Sequence, residues 1–259
     1  MRAGFNALLL TAAGFALASP AFADTGNPLP RFEDALCPGV TGLQVESAEL
    51  LVGRIRQNAQ ALGRQLAPPE TCAPNLIVSF VNDGRAAIED LHRERSYLFA
   101  DMSASERADL LHDDGPVHVF SQVFARNRDG MDISRRDSLV SPPHTTMWMA
   151  HSMIYRPVQM NIVYVLELFD ARAMRGLSVN QIADYATVRA LVHNPPRPSE
   201  TGGNSILNLF DAPAGAKPAG LTTFDHALLD SLYEGIPNIN RNARIATIAK
   251  ATGVDAGGE

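Results

Sequence analysis

Asp184 and His193 are the residues of the stretch SVNQIADYATVRALVHN, 178–194, whose types could serve an active site. Zinc hydrolases place two histidines at i and i+4, so that both imidazoles share one helix face, with a glutamate at i+1 beside the metal-bound water. An extended form adds a third histidine ten residues after the first. With Ala183 at the first position, Asp184 takes the place of the glutamate, Thr187 of the second histidine, Ala190 of the glycine and His193 of the third ligand. Alanine and threonine cannot hold zinc there, so the spacing predicts no zinc centre. Asp184 and His193 remain as catalytic acid/base candidates for a rebuilt hydrolytic site. Their structural alternatives are a solvated helix residue and a histidine placed at the negative end of the helix.

A second pattern lies at 147–153, MWMAHSM. On a strand, Met147, Met149, His151 and Met153 share one face. Thioethers and an imidazole are the ligands of soft copper sites, which makes this a candidate copper-binding module. The same alternation also describes a half-buried strand whose flexible methionines fill a core. No G-x-S-x-G elbow and no phosphate-cradling glycine loop occurs, and the other histidines are scattered singly. The sequence calls for no cofactor.

These groups need a scaffold. Apolar positions at three- and four-residue steps predict a helix over about 46–64, and NLIVSFV at 75–81 reads as a buried strand followed by a helix over 84–95. Ser103 and Glu106 have capping-box spacing and start a short helix, after which VHVFSQVFA at 117–125 reads as a strand. Residues 126–144 form a polar excursion, and strands are expected near 145–155 and 160–169. The amphipathic helix quoted above follows, stopped by Pro195, Pro196 and Pro198. Further helices are expected over LTTFDHALLDSLYEG and about 240–252, whereas 24–44 read as an extended lead-in. This order predicts an α+β fold with a single mixed sheet and flanking helices.

Compartment is legible at the start of the chain. Arg2, the apolar run FNALLLTAAGFALA and Ala21-Phe22-Ala23 have the features of a signal peptide over 1–23, leaving 24–259 as a single globular domain in the periplasm or secreted. No second apolar run reaches membrane-spanning length in the mature chain. The formal net charge is −6, and loss of Arg2 makes it −7. Without a basic cluster, nucleic acid is not an expected partner. Cys37 and Cys72 are expected to pair as a disulfide in an oxidising compartment, where closing that loop stabilises by about 4 kcal/mol on the chain-entropy model.

QIADYATVRALV, SILNLF and GLTTFDHALLDSLYEG together resemble segments of a family of uncharacterised exported proteins of alphaproteobacteria. That family is more distantly similar to a proteobacterial family of unknown function, often described as lipoproteins, with a zincin-like strand-then-helix layout. The resemblance spans about 160–250 and implies a fold and an export route. The departures at Ala183 and Thr187 argue against peptidase activity. The expected role is a binding or structural protein on a zincin-like domain without a zinc site, the alternatives being a hydrolase with its site near Asp184 and His193, or the methionine/histidine copper module.

Overall fold

The computed structural model describes residues 27–133, 154–196 and 205–253. Four strands form one mixed sheet: β1 (Pro38–Thr41), β2 (Leu76–Val81), β3 (Val117–Asn127) and β4 (Val158–Asp170), in the order β1-β2-β4-β3. β1, β2 and β4 run parallel, and β3 is antiparallel to β4 at one edge. Among the described residues, the α-helices are α1 (Val45–Ala61), α2 (Gly84–Glu94), α3 (Ala104–His112), α4 (Val179–Leu191), α5 (Thr223–Tyr233) and α6 (Arg241–Thr252). The expected α+β fold with a single mixed sheet is therefore present. No described helix is long and apolar enough to cross a membrane.

Alternating side chains on the strands feed two cores on opposite faces of the sheet. Leu76 and Val78 of β2, Val165 and Phe169 of β4 and Val117 of β3 pack with Leu51, Ile55 and Ala59 of α1, with α4 and with α5. Phe120 and Leu168 turn the other way, onto Ile88 of α2, Phe99 and Leu110 of α3.

Two elements differ from their sequence reading. The lead-in contains β1, whose Pro-Gly start obscures a short edge strand; Pro is tolerated there because a strand's first residue need not donate to the ladder. α4, expected to be amphipathic, is buried nearly all round: Ile182 through Val188, Ala190 and Leu191 are all buried, since the helix lies between the sheet, α1 and α5. SILNLF forms a 3₁₀ turn at Ile206–Leu209 that packs into the larger core. The methionine pattern at 147–153 lies outside the described residues, as does most of the strand expected near 145–155.

Cys37 and Cys72 form the expected disulfide. It ties the residue preceding β1 to the loop between α1 and β2, where Asn75 adds a second clasp. Its Oδ1 accepts from the Cys37 amide at 2.8 Å, and its Nδ2 donates to the Ala35 carbonyl at 3.0 Å. The short edge strand is thereby held in register.

Candidate functional site

Three elements converge just beyond the C-terminal end of α4. The chain leaves the helix sharply, with Asn194 in the left-handed region at φ 52°, which asparagine tolerates better than most side chains, and this turn delivers His193 to the edge of the sheet. β3 supplies Ser121, directly before a register shift between Gln122 and Val123 that leaves Val163 of β4 as the extra residue. Such bulges re-aim side chains. α3 supplies Glu106, which sits at the third helical position of a complete capping box with Ser103.

These residues form a chain of hydrogen bonds. Ser121 Oγ lies 3.0 Å from His193 Nδ1, and His193 Nε2 lies 3.3 Å from Glu106 Oε1. The hydrogen bond from His193 holds the Glu106 carboxyl at a pKa of about 2, helped by Ser103 and opposed by partial burial. Glu106 is thus an anion at neutral pH and can only accept, so a neutral His193 carries its proton on Nε2. Its Nδ1 lone pair then accepts from the Ser121 hydroxyl. Carboxylate, imidazole and hydroxyl are linked in the sense that raises the nucleophilicity of the hydroxyl.

The chain of bonds borders a cavity of about 600 Å³ between α3, β3 and the end of α4. Met102, Leu110, Val119 and Ile162 form its apolar wall; Glu106, Asp109, Asp113, Arg189 and His193 form its polar one. On the other side of the same hydrogen bonds, a second cavity of about 350 Å³ reaches Asn27, Pro28 and Arg241. His193, Ser121 and Glu106 line both.

Asp184 stands elsewhere. It faces α1, is fully buried, and accepts from Arg54 Nε at 2.7 Å and Nη2 at 2.9 Å, from Asn58 Nδ2 at 2.7 Å and from the Leu221 amide at 3.1 Å. The hydrogen bonds to Asp184 raise the Arg54 guanidinium above its ordinary pKa. Thr187 joins this network: its Oγ1 accepts from Asn58 at 3.0 Å and donates to the Ala183 carbonyl at 2.8 Å. Gly220 completes the enclosure, since a Cβ there would come within 2.7 Å of Asp184 Oδ2. Asp184 on α4 and His193 just past its end therefore belong to separate networks: Asp184 joins helices, and His193 borders a cavity.

A third ionisable group lies beneath α4. Glu167 shares the α4-facing side of β4 with Val165 and Phe169, is fully buried, and has no hydrogen-bond partner among the described residues on either carboxyl oxygen. Burial pushes its carboxyl well above the ordinary range, with Arg189 pulling the other way. The Nε of Arg189 is itself buried without a partner among the described residues, while the residue lines the larger cavity.

Glu106, Ser121 and Arg189 were not singled out from sequence. Glu106 was legible only as a capping residue, and Ser121 as the hydroxyl of an otherwise ordinary strand. Their link to His193 spans 72 and 87 residues of chain, beyond the reach of linear spacing. Among the described residues, no group of three or more histidine, cysteine or acidic side chains could hold a metal ion.

No protein-family model, curated protein or solved structure matches this chain.

Proposed function

We propose that this chain is an exported binding protein, on a zincin-like layout without a zinc site, that holds a small, positively charged ligand in the cavity beside His193. The observation that carries the reading is the cavity itself, whose lining joins apolar side chains to three carboxylates, Glu106, Asp109 and Asp113, against one arginine and the two imidazoles of His112 and His193. Concave sites with an apolar lining and a few converging polar groups are where small ligands bind, and excess carboxylate favours a cation. Support for the layout comes from α4 being the element that follows β4 along the chain, and from an Asp184 whose oxygens are committed to Arg54, Asn58 and Leu221. The disulfide is in keeping with an oxidising compartment.

Native mass spectrometry of protein purified from its exporting host tests the reading. The expected result is a one-to-one adduct that denaturation releases and that Asp109→Lys, a change at an exposed position on the cavity wall, removes or weakens at least about tenfold, the equivalent of about 1.4 kcal/mol. A wild-type protein with no adduct, or an adduct indifferent to Asp109→Lys, contradicts it.

A further inference from the structure

We propose that Ser121 is a nucleophile for acyl transfer, with His193 as its general base, acting on small carboxylic esters that enter the cavity between α3, β3 and the end of α4. The proposal rests on that cavity being the binding site, but it adds a reaction that binding alone does not require.

The geometry supplies the parts in order. Ser121 Oγ is within hydrogen-bond distance of His193 Nδ1, and the opposite ring nitrogen faces the Glu106 carboxylate. A carboxylate on the far side of an imidazole fixes its tautomer and stabilises the imidazolium that forms when the near nitrogen takes a proton. Ser121 also lines both cavities, so the hydroxyl is not sealed within the core. The register shift beside it is a feature that the sheet does not need for pairing and that often accompanies active sites. Arg189 also lines the larger cavity and brings a positive charge to its wall, where negative charge would develop.

The step balances without an outside oxidant or metal. Ser121 Oγ bonds to the ester carbonyl carbon as its proton passes to His193 Nδ1, and the carbonyl π pair moves onto oxygen. Collapse of that oxyanion breaks the bond to the alcohol oxygen, which leaves with the proton from His193. Water then attacks the acyl-serine by the same route, losing a proton to His193. Collapse releases the carboxylic acid and returns a proton to Ser121 Oγ.

A fluorophosphonate probe reads the first half of this sequence, because Ser121 Oγ would bond to phosphorus and expel fluoride. The full chain is treated with the probe, digested and analysed by mass spectrometry. The expected result is one adduct on the peptide containing Ser121, absent in Ser121→Ala and formed at least about a hundredfold more slowly in His193→Ala, the scale of a general base. Thermal unfolding of each variant confirms that it is folded. An unmodified Ser121 in folded wild-type protein overturns the proposal, as does equal labelling in folded His193→Ala. A ligand adduct without Ser121 labelling sinks the acyl-transfer step alone; labelling without a retained ligand supports that step and sinks the carrier reading alone.

Discussion

α4 carries Asp184 and is followed two residues past its end by His193, and both side chains are hydrogen-bonded to charged or polar groups from distant elements. The surroundings make them different. Asp184 has no exposed surface and every bond it makes joins α4 to α1 or to the start of α5, so its charge is consumed in holding helices together. His193 makes two bonds at the border of two cavities, where an entering molecule can meet it. Hydrogen bonding alone therefore does not separate a structural residue from a functional one; what separates them is whether space adjoins the bond.

Removing the buried charge is expected to have the largest effect. Asp184→Ala leaves one Asn58 N–H and the Leu221 amide without their acceptor, while Arg54, itself one-third exposed, can rehydrate; equilibrium urea unfolding should show a loss of about 2–4 kcal/mol. A loss below about 1 kcal/mol would place Asp184 with His193 instead of opposite it. Gly220→Ala presses on the same network from outside, because its Cβ would fall 2.7 Å from Asp184 Oδ2. Its expected cost is about 1–3 kcal/mol in the same assay.

Glu167→Leu should act in the opposite direction. A buried carboxyl without hydrogen bonds is a cost to the fold, so an apolar side chain of similar size is expected to be neutral or to stabilise by about 1 kcal/mol. Because the folded-state pKa of Glu167 is raised, the stability it permits is complete below its unfolded value and declines as pH climbs toward the folded one. The advantage of Glu167→Leu should therefore grow from acid to neutral pH. Equal stability differences at pH 4 and pH 8 would show that Glu167 does not titrate differently on folding.

The smallest effect is expected at Glu106. Its folded pKa of about 2 lies below the ordinary value of 4.5, so its contribution is present above 4.5 and is lost as pH falls from there toward 2. The carboxylate is partly exposed, and solvent screening keeps the contribution small. Glu106→Gln preserves a side chain that can close the capping box with Ser103, and it should flatten the loss of stability over that acid range while leaving neutral-pH unfolding nearly unchanged. Urea midpoints measured from pH 2 to pH 6 would show it, and an unchanged acid slope would remove Glu106 from the His193 network.

Much of the scaffold was readable because its signals are local. The helical spacing of Leu51, Ile55 and Ala59, the capping box opening α3 and the β-branched run of β2 each act within a few residues. β1 escaped notice because four residues that begin Pro-Gly carry too little pattern, and its strand state depends on parallel pairing with Leu76–Ser79. The candidate site divides in the same way. His193 could be found from its type and position, whereas its partners Ser121 and Glu106 are brought to it by sheet order and by the turn at Asn194. Asp184 shows the converse: its type suggested chemistry, but Arg54 and Asn58, one helical turn apart on α1, take up its oxygens.

Thermal unfolding of His193→Ala, with and without the ligand released from the wild-type protein, sets structural and functional roles against each other in one experiment. The ligand-free variant should unfold within about 1 kcal/mol of wild type, since it loses two partly exposed hydrogen bonds, while the stabilisation by ligand disappears. A variant that loses several kcal/mol, as expected of Asp184→Ala, or one that keeps the full ligand-induced shift, would contradict the assignment of the cavity beside His193 as the functional site.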